Sequence, residues 1–323
     1  MTAELGFGIV GAGMVARFHA RAIAEAPGSR LAAICRADAS RAAETAAEFG
    51  VPCETSLEAL LERPDVDAVC LCTPSGLHAQ QTRLAARAGK HVLVEKPIAL
   101  TLADADAMIA ASRDAGVRLG VALQRRTEPA SRALHAAIRA GELGELVLGT
   151  ATVPYFRPQS YYDSAAWRGT WSLDGGGALM NQGIHLVDLL LWLMGGEAEV
   201  VGASGGAVGH DIEVEDCVVA ALRFSGSLCE NARGTIVATT AAAPGFPHRI
   251  EIYGSRSGVM IDGDAAGSSP TGIGHLGHTL LLQDFVAAIC QGRDPLVDGV
   301  EGRRSLALVL AIYEAAGLGE GKI

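Results

Sequence analysis

Two stretches of this chain hold residues of the types that move protons and stabilise charge. The first is "VLVEKPIAL" (92–100), an apolar run ending in Glu95, Lys96 and Pro97. A lysine there can polarise an oxygen and stabilise negative charge developing on it. Its bond to Pro97 is a candidate for the cis form. The second is "DGGGALMNQGIHLVD" (174–188), three glycines followed by an apolar helical pattern carrying Asn181, His185 and Asp188. At spacings of four and three these side chains share a helix face, so an amide, an imidazole and a carboxylate are expected in one column. An imidazole exchanges its proton near neutral pH. An amide orients a hydroxyl but cannot take its proton. Taken alone, the second stretch also fits a helix start with a satisfied histidine.

Such residues need elements to hold them. Strand patterns at 5–13, 30–37, 66–74, 90–97 and 117–124 alternate with helix patterns at 14–26, 40–50, 56–63, 76–89 and 101–116. Alternation of this kind implies parallel strands with right-handed crossovers, a doubly wound α/β sheet. Ligands bind beyond the carboxyl ends of such strands, where "CTPSGLH" (72–78) and the Glu-Lys-Pro run both fall. After residue 125 the pattern changes. One helix (129–141) precedes strands within 145–156, 199–208, 216–226, 229–241 and 248–262, and a helix at 303–317 follows. Strands without intervening helices point to a mostly antiparallel sheet. The Gly- and Ser-rich segment 263–274 reads as a flexible loop. The expectation is a dinucleotide-binding domain over 1–124 and a second α/β domain over 125–323.

"GAGMVA" (11–16) fits G-x-G-x-x-A between a strand and a helix, the context a dinucleotide fingerprint requires. Gly11 permits the tight turn and Gly13 the approach of the pyrophosphate. Met14 and Val15 open the helix whose positive end faces the phosphates, and Ala16 keeps that helix close to the sheet. An NAD site carries a carboxylate about twenty residues further on. Here that position is Arg36, with Arg41 nearby, and a guanidinium suits a 2′-phosphate. NADP is therefore expected over NAD, with Asp38, two residues later, as the alternative that would restore NAD.

A chain of 323 residues suits two domains. With 49% hydrophobic and 19% charged residues, it can bury a sizeable core. A net charge of −10 points away from nucleic acid, which wants a basic face. No basic leader precedes the first strand, and runs such as "LALVLAIY" (306–313) are too short for a bilayer. Seven cysteines in no framework spacing suggest reduced thiols in a cytoplasmic protein. No four-ligand zinc pattern is visible.

"GAGMVARFHA", "TPSGLHA", "VEKPIAL" and "GGGALMNQGIHLVDLL", in this order, together with a late segment at 277–309, resemble the Gfo/Idh/MocA oxidoreductases along essentially the whole chain. The resemblance implies a Rossmann domain followed by an α/β domain on a large open-faced sheet. It implies NAD(P)-dependent oxidation or reduction of sugars, inositols and related polyols, and homodimers or homotetramers formed through that sheet. It makes Lys96 the E-K-P lysine and His185 the catalytic histidine. Asn181 stands where the family often has aspartate, so Lys96 and His185 are left to handle the proton. It places Thr73, Pro74, Ser75 and His78 along the nicotinamide ribose, and Glu95, Lys96 and Gln124 among the cofactor contacts. Trp167 and Arg168 match a pair that reaches the cofactor. Arg157, Tyr161 and Tyr162 are offered to sugar hydroxyls or a carboxylate. Glycines 175–177 let the backbone approach the nicotinamide, and Asp188 is a supporting or folding group. The stretch "RPQSYYDSAAWRGTW" (157–171) is similar to sugar and nucleotide-sugar dehydrogenases, including those for N-acetylglucosaminuronic acid. Two alternatives stay open on the same fold: a redox glycosidase and an NADP-sensing regulator.

Overall fold

The structure, a computed structural model, describes residues 4–263 and 276–319. The expected loop at 263–274 lies outside them apart from Gly263. The chain forms two compact units: residues 1–124 with 274–303, and residues 125–273 with 304–323.

The first unit is a six-stranded parallel sheet. Its strands are β1 (Leu5–Val10), β2 (Ser29–Cys35), β3 (Cys53–Glu54), β4 (Ala68–Leu71), β5 (His91–Val94) and β6 (Leu119–Val121), in the order β3-β2-β1-β4-β5-β6. The order reverses between β1 and β4, the switch point at which doubly wound sheets bind ligands. Helices α1 (Met14–Glu25), α2 (Ala42–Phe49), α3 (Leu57–Leu61), α4 (His78–Arg87) and α5 (Leu102–Asp114) connect the strands. Local chemistry sets their ends. Ser56 Oγ accepts from the Ala59 N–H at 3.2 Å, and Thr101 Oγ1 from the Asp104 N–H at 3.0 Å. β4 is buried throughout and β1 nearly so, which explains their unbroken apolar runs.

Helix α9 (Leu276–Gln291) also belongs to this unit, although its position in the chain assigned it to the second. Phe285 packs on Phe7, ring centroids 6.4 Å apart, and lies where a Cβ on Gly120 would fall. The apolar face of α9 completes a core begun at Phe7, 278 residues before Phe285, and linear pattern reading does not see such a return.

The second unit carries α6 (Pro129–Arg139), β7 (Leu146–Pro154), the short α7 (Gln159–Asp163), a π-helical turn at Ala178–Gly183 and α8 (Ile184–Met194). Then follow β8 (Glu197–Gly206), β9 (Cys217–Ser225), β10 (Arg233–Thr239), β11 (Arg249–Gly254) and β12 (Gly258–Asp262). Helix α10 (Gly299–Ala315) crosses the boundary between the units. The sheet order is β12-β11-β7-β10-β9-β8, antiparallel except for the β7–β10 pair. Alternation along the strands gives the sheet two different faces. Val218, Ala220, Leu222 and Phe224 of β9 are buried with Ile236 and Ala238 of β10, each large side chain contributing about 1.5–3 kcal/mol by burial. The β9 residues between them, such as Val219, are exposed. Among the described residues no helix is long and apolar enough to cross a membrane.

Candidate active site

Each unit presents its own constellation. In the first, Gly11 follows β1 at φ +96°, and a Cβ there would lie 2.7 Å from the Cys72 carbonyl. Only glycine fits that turn. Gly13 caps α1 without any side-chain hydrogen bond, no acid sits in the first turn, and nothing lies within 4 Å of a Cβ built on Gly13. The first N–H groups of α1 thus have no side-chain cap, and Gly13 leaves room beside them, as a pyrophosphate requires. Met14 is exposed and Val15 half-buried beside them.

The turn after β4 continues this edge. Thr73 donates to Gln81 at 2.6 Å, Pro74 follows, and Ser75 opens a short 3-10 turn. His78 differs from expectation. It is fully buried, with Nδ1 on the Pro97 carbonyl at 2.9 Å and Nε2 on the Thr73 carbonyl at 3.1 Å. Burial pushes its pKa down. The ring braces two loops from behind and offers no surface to a ribose.

Lys96 is the second residue past β5, and its bond to Pro97 is cis. Glu95 is buried, and its Oε2 accepts the Lys96 backbone N–H at 3.3 Å. Its Oε1 lies 2.7 Å from His19 Nε2 on α1 and 3.9 Å from His278 Nε2 on α9. Burial would raise this carboxyl, but the hydrogen bond and charge of His19, with His278 and Lys96, bring it down to about 2. Glu95 is thus a support for the lysine loop, not a cofactor-facing group. The three ligand-type atoms lie within 4.8 Å of one another, but the 2.7 Å contact has the length of a hydrogen bond, shorter than the ~3.3 Å between two donors held ~2 Å from a tetrahedral ion. His19 and His278 were not legible as partners, being 76 and 183 positions from Glu95. Gln124 ends the first unit at the start of a 3-10 turn, half-buried.

The turn after β2 carries mixed charge. Arg36 donates to Thr45 Oγ1 at 3.3 Å. Arg41 forks onto Glu44 at 2.8 and 3.0 Å. Asp38 stands exposed beside them, held ionised by its hydrogen bond from Ser40. A 2′-phosphate here would meet two carboxylates as well as two guanidiniums.

In the second unit the π-helical turn changes the winding just before His185, and the expected column does not form. Asn181, Gln182 and His185 are half-buried, whereas Asp188 is fully buried. Asp188 accepts from Arg126 Nε at 2.7 Å, from Arg126 Nη2 at 2.6 Å and from Ser305 Oγ at 2.7 Å. It is a folding group. Asn181 Nδ2 donates to Asp174 Oδ1 at 2.8 Å, and Asp174 Oδ2 accepts from the Gly169 N–H at 3.0 Å. Gln182 Nε2 donates to Asn181 Oδ1 at 3.3 Å, and its Oε1 accepts from Arg157 at 3.4 Å. A carboxylate at one end and a guanidinium at the other fix which way both amides face.

Aromatic rings complete this face. Arg157 is buried between the Tyr155 and Tyr161 rings, at 5.4 and 5.7 Å. Arg168 lies 4.5 Å from the centroids of both Tyr161 and Trp167 and donates to the Tyr161 hydroxyl at 2.8 Å. Tyr162 departs from expectation. It is buried, with its hydroxyl 2.7 Å from Thr240 Oγ1, and fastens the end of β10 instead of meeting a sugar.

Gly176 and Gly177 serve the unit's own packing. A Cβ on Gly177 would lie 1.7 Å from the Glu215 carbonyl. The buried Glu215 carboxylate accepts the Gly177 N–H at 2.8 Å, the Leu179 N–H at 2.7 Å and the Tyr313 hydroxyl at 3.0 Å. It anchors the start of the π-helical turn. Burial pushes its pKa up to about 7 despite these bonds.

Comparison with known proteins agrees with this geometry. Residues 5–123 match the oxidoreductase family with an NAD-binding Rossmann fold, and residues 131–260 match the GFO/IDH/MocA C-terminal domain. The chain is 33% identical to 1,5-anhydro-D-fructose reductase of Ensifer adhaerens, covering 97% of each. It is similar to the WlbA dehydrogenase of Bordetella pertussis in complex with NADH and UDP-GlcNAcA (35% identity, TM-score 0.90, 98% of this chain and 96% of that one). The corresponding Chromobacterium violaceum complex, with the same two ligands, gives 32% identity and a TM-score of 0.88, covering 100% and 96%. Both structures hold NADH, which overturns the expectation of NADP drawn from Arg36 and Arg41. The carboxylates of Asp38 and Glu44 beside those arginines give the physical reason.

Proposed function

The chain belongs to the GFO/IDH/MocA oxidoreductase family, and from that premise we propose that it is an NAD-linked dehydrogenase of a nucleotide-linked sugar acid, oxidising a ring carbinol. The observation that carries the reading is the carboxyl edge of the parallel sheet. There an open helix N-terminus at Gly13 and the lysine that follows a buried strand lie on the same unit. The likeness to two complexes holding NADH and UDP-GlcNAcA supports the cofactor and the substrate class.

Bound nicotinamide supplies the hydride acceptor. The helix α1 N–H groups receive the pyrophosphate, and Asp38 receives the adenosine ribose hydroxyl. Lys96, as a cation, polarises the substrate hydroxyl and stabilises alkoxide charge as hydride leaves the carbon. His185 accepts the hydroxyl proton, a task an imidazole performs near neutral pH. Asn181 and Gln182, their amides oriented by Asp174 and Arg157, fix the sugar hydroxyls. Arg168, stacked between Tyr161 and Trp167, faces the sugar carboxylate. A second copy of the chain packs on the exposed sheet face bearing Val219, Tyr253 and Met260. The seven free cysteines fit a cytoplasmic location.

The test is steady-state kinetics with NAD and UDP-linked uronic acids, beside neutral sugars and inositols. Lys96→Ala and His185→Ala should each lower kcat by ~10²-fold or more, while NAD affinity changes far less in His185→Ala. Wild-type turnover in either variant would refute the role given to that residue. Release of a sugar without net NADH would point to the glycosidase chemistry of the same fold.

A further inference from the structure

The group around Glu95 goes beyond the roles above, and its interpretation rests on Lys96 as the charge-stabilising residue. Glu95 directly follows β5, His19 comes from the fingerprint helix α1 and His278 from α9. All three are buried, with exposures of 7, 1 and 7%. His278 stacks on Phe18, centroids 5.5 Å apart and planes 17° apart, and meets His19 edge-on at 5.4 Å. A buried carboxylate is stable as an anion only when it is paired. Here one oxygen is held by His19 and the other by the backbone N–H of Lys96.

We propose that His19, Glu95 and His278 form a buried positioning device that holds Lys96 in place and sets how firmly it keeps its proton. Other groups that face it are the Cys70 thiol of β4 and the Cys72 thiol just past it, beside the His19 ring, and His78 of α4, near the Lys96 charge. Burial pushes the Cys72 thiol up to about 11, so it is neutral. The His78 ring faces two carbonyls, and burial keeps it uncharged at neutral pH. Within the first unit, the Glu95 carboxylate and the imidazoles paired with it interact with the Lys96 charge. The same hydrogen bond ties the lysine loop to α1, whose other end receives the pyrophosphate in the reading above. His19 and His278 are positioning residues: they act through Glu95.

The chain has only three lysines, Lys90, Lys96 and Lys322, so Lys96 can be followed by NMR of protein labelled with carbon-13 lysine, with Lys96→Arg identifying its signal. In Glu95→Gln its titration midpoint should fall by about 1–3 pH units, the effect of losing an adjacent opposite charge. In His19→Gln it should rise, because Glu95 is left without its compensating cation. His278→Gln should move it by less than either. Should His19→Gln fail to fold, the other two variants still decide. An unmoved midpoint in folded Glu95→Gln and His278→Gln would overturn the proposal. So would a stoichiometric metal ion in the purified protein whose removal alone shifts the lysine. The readout needs no turnover. A moved midpoint in a protein that oxidises no sugar would support the device and count against the dehydrogenase reading instead.

Discussion

Asn181 illustrates how a departure from a familiar pattern can be compensated nearby. The family often has aspartate there, and the sequence shows only an amide. The structure brings Asp174 to 2.8 Å from that amide, so the negative charge is present, supplied from seven residues earlier. An aspartate at 181 would put two carboxylates in contact, and one of them would have to hold a proton. We predict that Asn181→Asp loses about 1–3 kcal/mol of stability at neutral pH, and that adding Asp174→Asn recovers most of it. Urea unfolding of the single and double variants measures this, and simple additivity would contradict it. Lys96, His185 and Asn181 stand out in the sequence because each sits in a motif with a fixed local context. Their supports do not. Asp174 lies outside the helical pattern that carries Asn181, and Glu95 pairs with His19 and His278 across long stretches of chain. Spacing carries no information about such contacts.

The strands and helices of the first unit were legible from periodicity because each is buried in a regular way: two faces for β4, one stripe for α1. The π-helical turn at Ala178–Gly183 was not, since its sequence reads as ordinary helix. It forms where Glu215 takes the Gly177 and Leu179 N–H groups and Gly177 leaves room for the Glu215 backbone. That anchor has a pH signature. The Glu215 carboxyl titrates at about 7 in the folded protein against an ordinary 4.5. Between these values the folded state binds the extra proton, so stability falls as pH rises through the window, by on the order of 3 kcal/mol. Glu95 acts in a separate range. Its folded value of about 2 lies below the ordinary 4.5, so its contribution is present above 4.5 and is lost as pH falls toward 2. Thermal unfolding of Glu215→Gln should lack the decline between pH 4.5 and 7 while keeping the acid loss. A wild-type slope in that variant would contradict the assignment.

The two-unit architecture was legible because the change from alternating to consecutive strands marks it. The return of α9 to the first unit was not, because its apolar face matches either core. Cofactor identity was misread for a related reason. Arg36 and Arg41 count as cations in the sequence, but Glu44 and Asp38 offset them in space. The exposed sheet face, with Val219 at 47% and Met260 at 52% exposure, leads us to predict that Val219→Glu lowers the oligomeric state in light scattering without unfolding the chain. An unchanged mass would place the interface elsewhere. The central claim is hydride transfer to nicotinamide assisted by Lys96. It is tested most directly by supplying NAD with a UDP-linked uronic acid carrying deuterium on a ring carbinol carbon and analysing the nicotinamide by mass spectrometry. The account predicts one deuterium on the reduced ring with the wild-type protein and almost none with Lys96→Ala. Unlabelled nicotinamide from the wild-type protein, across every ring position tested, would contradict it.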